Sequence, residues 1–199
     1  MSKNRNGGPT LQAKIYNIDY NQFIHILGTT HFTKRSLSDA YHAVNQLKPT
    51  DLAIELDMER FQELNQTCAT CPKRWTCAHK CEFIGAAEAL GNVNGNIWLI
   101  DMTRYQFRQR TQMFASRTRV WRVLLNERDT LMAARLTWII TRNMKTGREP
   151  NVLALVGAAH VKGIHNLLKN PQEIKETLNQ LNLEFTPPKL VKRIQINGD

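Results

Sequence analysis

No stretch of the chain approaches the roughly 20 consecutive apolar residues that a membrane-crossing helix needs. The opening Met1-Ser2-Lys3-Asn4-Arg5-Asn6-Gly7-Gly8 also lacks the apolar core of a secretory leader. A soluble, cytoplasmic protein with no transmembrane segment is therefore expected. Glycine and proline, 10 and 7 in number, are scattered rather than clustered, so no long linker is marked. Cysteine is missing everywhere outside residues 68–81, which argues against a disulfide framework in a reducing compartment. Acidic residues are outnumbered 17 to 27 by lysine and arginine, a net charge of +10. Such a surface attracts nucleic acid, anionic membranes or acidic substrates, or simply confers solubility.

What is present fits one folding unit. With 199 residues and 42% hydrophobic content there is enough apolar material for one core and too little for two, so residues 1–199 are expected to form a single domain. Two stretches share one grammar: Phe23-Ile24-His25-Ile26-Leu27-Gly28-Thr29-Thr30-His31 and Val152-Leu153-Ala154-Leu155-Val156-Gly157-Ala158-Ala159-His160. Each reads as a buried strand, a glycine permitting a sharp turn, two small residues and a histidine. Asp51-Leu52-Ala53-Ile54-Glu55-Leu56-Asp57 and Asn96-Ile97-Trp98-Leu99-Ile100, closed by Asp101, read as further core strands. Helical patterns between them, the first capped by Ser36 or Ser38, make βαβ units and imply parallel pairing. Lys14–Ile18 is expected to form an edge hairpin with the first core strand, and Leu183–Phe185 and Leu190–Ile196 to form closing strands. The predicted fold class is α/β, with a mostly parallel central sheet flanked by helices and hairpins at the edges.

From Arg104 to Met144 there is neither proline nor glycine. Phe114, Trp121, Leu125, Met132, Leu136 and Ile139 form an apolar stripe on long helical material, and Arg128 interrupts it. An arginine so placed either pairs with a buried acid or reaches into a pocket. Trp138 and the arginines of this region leave room for a homodimer.

His31, Glu55, Asp57, Asp101 and His160 all close or interrupt buried strands. Charge there is costly unless partnered, and the carboxyl edge of a parallel sheet is where ligands bind, so these residues are expected to converge. Glu55, between Ile54 and Leu56, is either the partner of Arg128 in a structural ion pair or a ligand or general base beside His31 and His160. Two imidazoles and a carboxylate suit a divalent metal (Mn, Co or Zn) that acidifies water. They equally suit acid–base hydrolysis without one. Thr29, Thr30 and the amides following Gly28 and Gly157 are candidate oxyanion donors in both schemes.

Gly28-Thr29-Thr30-His31, Ala53-Ile54-Glu55-Leu56-Asp57 with Arg60, Leu99-Ile100-Asp101, Asn126-Glu127-Arg128-Asp129 with Met132, and Val156-Gly157-Ala158-Ala159-His160-Val161-Lys162-Gly163-Ile164 resemble the successive signatures of the TraB/PrgY pheromone-shutdown family. That family is similar to the Tiki metalloproteases and, more distantly, to erythromycin esterases and ChaN-like haem-binding proteins. The resemblance spans residues 24–168. It implies metal-dependent cleavage of a peptide or small-molecule substrate, with His31, Glu55 and His160 as site residues and Arg128 as supporting cation. The chain departs from the family in following Asp101 with Met102-Thr103 instead of an arginine and a second acid. The cysteine cluster is a second departure.

Cys68-x2-Cys71-x5-Cys77-x3-Cys81 has the density of a metal site and predicts an inserted knuckle over 68–81 holding zinc or an iron–sulfur cluster. With Lys73, Arg74 and Lys80 around it, the knuckle also suits a grip on nucleic acid. Two functions follow: a metal-dependent hydrolase acting at the histidine pocket, or a non-catalytic binding protein for nucleic acid or haem.

Overall fold

In the computed structural model the described residues are 18–31, 33–69, 81–91, 95–112 and 117–191, with the backbone alone at 68, 69 and 117–119. A 3₁₀ turn (Tyr20–Phe23) leads into β1 (Ile24–Thr29), α1 (Lys34–Leu47), β2 (Asp51–Ile54), α2 (Met58–Ala69), α3 (Glu82–Gly91) and β3 (Asn96–Leu99). Then come α4 (Arg104–Gln112), α5 (Arg117–Arg122), a π-helical turn (Val123–Glu127), α6 (Arg128–Lys145), β4 (Val152–Gly157), α7 (Ala158–Lys169), α8 (Pro171–Gln180) and β5 (Lys189–Val191). No helix among them is long and apolar enough to cross a membrane.

The five strands form one sheet in the order β1-β4-β2-β3-β5. The first four run parallel, and β5 lies antiparallel on β3. Alternation along the strands divides the core. Ala53, Trp98, Val152, Ala154 and Val156 face Met132, Leu136, Ile139, Ile164, Leu168, Ile174 and Leu178 of α6, α7 and α8. Leu52, Ile54, Ile97, Leu99, Leu153 and Leu155 face Ala40, Val44, Phe61, Phe83, Ile84 and Ala86 of α1, α2 and α3. Covered on both sides, β4 is buried at every residue, which is why it reads as an uninterrupted apolar run.

Several expectations are corrected. Thr33, not Ser36 or Ser38, caps α1, accepting the Ser36 N–H at 3.1 Å. Ser36 is buried, and its hydroxyl donates to Thr30 O. Of the expected closing strands, Leu183–Phe185 is not a strand, whereas Leu190 and Val191 do lie in one, β5, paired antiparallel with β3; residues 11–17, on which the expected opening hairpin rests, and 192–196 lie outside the described residues. Trp121 is 59% exposed, because the π-helical turn after α5 shifts the helical phase before α6 begins. Trp138 packs against Trp98 at 5.7 Å between ring centroids and is half-buried. Gly28 lies inside β1, and neither it nor Gly157 has a positive φ. These two glycines supply room rather than a turn, since a Cβ on Gly28 would sit 2.6 Å from Val161 Cγ2.

Candidate active site

Thr29 pairs with Gly157 and Ile54 with Leu155, so β1, β4 and β2 end side by side at their carboxyl edge. His31 lies two residues beyond β1, Glu55 one beyond β2, and His160 in the first turn of α7 directly after β4. They meet around Gly157. A Cβ built on that glycine would lie 3.1 Å from His31 Nε2, 3.5 Å from Glu55 Oε2 and 3.6 Å from His160 Cδ2. The expected convergence of these three residues is present, and Gly157 is the space through which they approach one another.

Each histidine is oriented by a buried carboxylate. His31 Nδ1 donates to Glu82 Oε1 at 2.5 Å, and the Thr29 hydroxyl donates to the same oxygen at 3.0 Å. His160 Nδ1 donates to Asp129 Oδ1 at 2.5 Å. A carboxylate on Nδ1 fixes the ring and turns Nε2 outward. The two differ in access, the His31 side chain being 38% exposed and that of His160 only 6%.

Glu55 is held from three sides. Gly157 N–H donates to Oε2 at 2.6 Å, Arg128 Nη2 donates to Oε1, and His160 Nε2 lies 3.3 Å from Oε1. Arg128 also grips Asp101 through Nε and Nη2 at 2.9 and 2.7 Å, and its Nη1 lies 3.2 Å from His160 Nε2. Arg60 Nη2 donates to Asp101 Oδ2 at 2.5 Å. Asp57 caps two helices, accepting the Arg60 N–H at 2.8 Å and the Arg104 N–H at 2.7 Å. Arg128 thus realises both readings of its place in the apolar stripe: it pairs with buried acids and its guanidinium lies in the site.

The π-helical turn accounts for the local arrangement. Such turns recur at functional sites because the extra residue re-aims the side chains that follow. Here three consecutive charged residues serve different partners: Glu127 binds Arg110 at 2.7 Å, Arg128 binds Glu55 and Asp101, and Asp129 binds His160. Asp129 reaches α7 only because Gly163 has no side chain, since a Cβ there would stand 2.0 Å from Asp129 Oδ2.

The electrostatics follow from these contacts. The Glu82 hydrogen bond raises the His31 pKa against the effect of burial. Burial disfavours the His160 cation, but Asp129 and Glu55 outweigh it and push its pKa up to about 9. Burial likewise opposes ionisation of Glu55 and Asp101, yet His160 and Arg128 hold Glu55, and Arg128 and Arg60 hold Asp101, below the ordinary carboxylate range. Asp129 is shifted upward by burial despite His160.

These contacts bear on the expected ligands. A divalent metal would bind through His31 Nε2, His160 Nε2 and Glu55. In this arrangement the Arg128 guanidinium occupies Glu55 Oε1 and abuts His160 Nε2, and the Gly157 amide occupies Oε2. Among the described residues no group of three or more His, Cys, Asp or Glu side chains is placed to hold a metal ion. Arg128 already engages the Glu55 and His160 atoms that such an ion would need. Cys71, Cys77 and the Cys68 side chain lie outside the described residues, and Cys81 is buried in the core beside α3. Of the candidate oxyanion donors, the Thr29 hydroxyl donates to Glu82 and the Thr30 amide to Ser36 Oγ at 3.1 Å. The exposed first residues of α7, Ala158 and Ala159, remain suitable because the first amides of a helix lack intrahelical acceptors.

Glu82 and Asp129 are site residues that sequence reasoning did not single out. Glu82 is a charge followed by five apolar residues, Phe83-Ile84-Gly85-Ala86-Ala87, and at 0% exposure it must be partnered. Asp129 directly follows Arg128 on the same helix. Comparison of the chain with protein-family models, with curated proteins and with solved structures returned no match.

Proposed function

We propose that the protein is a hydrolase of carbonyl ester or amide bonds, peptides among them, working by acid–base catalysis at the carboxyl edge of β1, β4 and β2. The observation that carries this reading is the pair of carboxylate-oriented histidines, Glu82–His31 and Asp129–His160, with His31 Nε2 turned toward Gly157 and His160 Nε2 toward Glu55. Buried carboxylate–imidazole pairs are costly as mere structure and are the usual means of fixing a proton-transferring nitrogen.

The roles divide by access and charge. His31, the exposed member, takes a proton from the attacking water through Nε2, while Glu82 holds the ring and stabilises the imidazolium that forms. His160, buried and kept protonated by Asp129 and Glu55, supplies positive charge and a proton to the departing group. Arg128 fixes Glu55 and Asp101 relative to His160. The amides opening α7 face developing negative charge, which a helix N-terminus favours.

The test is hydrolysis of a panel of chromogenic esters and peptide amides by wild type, His31→Ala and Glu82→Gln. Removing a positioned general base costs roughly 10²- to 10⁴-fold in rate. Both variants should lose activity on that scale, with native circular dichroism retained. Chelator treatment of the wild type should leave the rate unchanged. Activity that persists in His31→Ala, or that disappears with the chelator and returns with a divalent ion, counts against this mechanism.

A further inference from the structure

Beside the histidine centre, one strand further along the sheet edge, lies a cavity of about 140 Å³ lined by Arg60, Asp101, Met102, Arg104, Phe107, Leu124 and Arg128. It sits at the ends of β2 and β3, and Arg128 belongs to both places. We infer that this cavity is a specificity subsite that receives a carboxylate-ended side chain of the substrate, so that the enzyme acts beside acidic residues. The inference rests on the hydrolase reading above and extends it to a substrate class.

Size comes first. Pockets that enclose a whole small ligand have volumes of ~300–1,000 Å³, so this one takes a group rather than a molecule. Charge comes second. Three guanidiniums and one carboxylate line it, and that carboxylate is fully engaged: Asp101 Oδ1 accepts from Arg128 and the Met102 N–H, and Oδ2 from Arg128 and Arg60. Arg60 donates its main-chain N–H to Asp57 Oδ1 and its Nη2 to Asp101 Oδ2 and to Met102 O at 3.1 Å, and its Nε lies 3.5 Å from Asp57 Oδ2. Its Nη1 has no hydrogen-bond partner among the described residues. Arg104 is held at the surface by Glu63, bidentately through Nη1 and Nη2 at 2.5 Å, with Glu59 Oε1 3.5 Å from Nη1 and the Arg104 and Glu63 side chains 34% and 53% exposed. A bidentate pair holds more firmly than a single exposed contact, so an incoming carboxylate competes with Glu63 for Arg104. Three of the seven lining residues are apolar. Met102, Phe107 and Leu124 offer contact to the methylenes of an acidic side chain, which a bare phosphate does not need.

The test uses the full chain and two readouts. Binding of N-acetyl-glutamate amide, N-acetyl-glutamine amide and inorganic phosphate is measured by titration calorimetry at fixed ionic strength. Hydrolysis is measured on matched peptides with glutamate or glutamine next to the scissile bond. Charge-assisted hydrogen bonds to the lost carboxylate correspond to roughly 10- to 100-fold, so glutamate should exceed glutamine by that factor in affinity and in kcat/KM. Arg104→Gln should reduce the preference, and Leu124→Trp, which fills the cavity, should remove it. Hydrolysis without a glutamate preference overturns the subsite and leaves the hydrolase reading intact. Glutamate-selective binding lost in Leu124→Trp, with no hydrolysis of any peptide, keeps the subsite and overturns the hydrolase reading. Binding of phosphate alone, or of neither amide, overturns the subsite.

Discussion

Strand β2 carries a buried carboxylate at each end, and the two are handled in opposite ways. Asp51, 1% exposed, accepts hydrogen bonds from neutral donors: Thr50 Oγ1 at 2.9 Å, Asn96 Nδ2 at 3.0 Å, Trp98 Nε1 at 2.6 Å and Asn143 Nδ2 at 2.7 Å. Glu55, 6% exposed and four residues later, faces Arg128, His160 and a single amide. The amino end ties β2, β3 and α6 together with groups that do not titrate near neutrality. The carboxyl end gathers groups that exchange protons and carry charge, and it does so where strand-to-helix connections converge. Burial alone therefore does not mark a functional acid; the chemistry of its partners does.

The contrast is broken most severely by removing the cation. Arg128→Ala leaves Glu55 and Asp101 buried and short of positive charge, which should lower stability by about 3–5 kcal/mol in urea denaturation and abolish hydrolysis. Asp51→Ala, which strands neutral donors, should cost less, about 1–3 kcal/mol, and leave the rate per folded molecule unchanged. Equal losses in both would erase the distinction between the two ends.

A smaller effect sharpens it. Gly163→Ala puts a methyl group into the Asp129 carboxylate, an overpacking worth about 1–3 kcal/mol. Because Asp129 holds His160, activity should fall further than the stability loss explains, and the pH profile should shift. An active variant with only a lowered melting temperature would show that Asp129 is packing and not positioning.

The most graded effect is on pH. His160 has its folded pKa raised from 6.5 to about 9, so its contribution to stability is complete below pH 6.5 and is lost as pH rises through 9. Urea midpoints between pH 6 and 9.5 should decline with a slope that Asp129→Asn reduces. Asp51→Asn should keep that slope, because the partners of Asp51 are neutral.

The strands were legible because burial on two faces demands continuous apolar runs, as in Leu153–Val156, and the histidines and Glu55 were legible because each follows or interrupts such a run. The helix beginning at Lys34 was legible in its apolar face but not in its cap, since Thr33 and Ser36 are chemically interchangeable at that position. The phase of the stripe through Trp121 was not legible, since a π-helical turn leaves no distinctive residue type behind.

The sequence by itself determined the α/β class, the parallel pairing and the list of charged groups placed at strand ends, because alternation, burial and turn chemistry act over neighbouring residues. The tertiary structure decided the strand order β1-β4-β2-β3-β5 and which charge meets which. Glu82 reaches His31 across 51 residues and Asp129 reaches His160 across 31. Those pairings depend on how α3 and α6 pack over the sheet and on the missing side chain of Gly163. Partner choice among buried charges is a property of packed geometry, which no local pattern records.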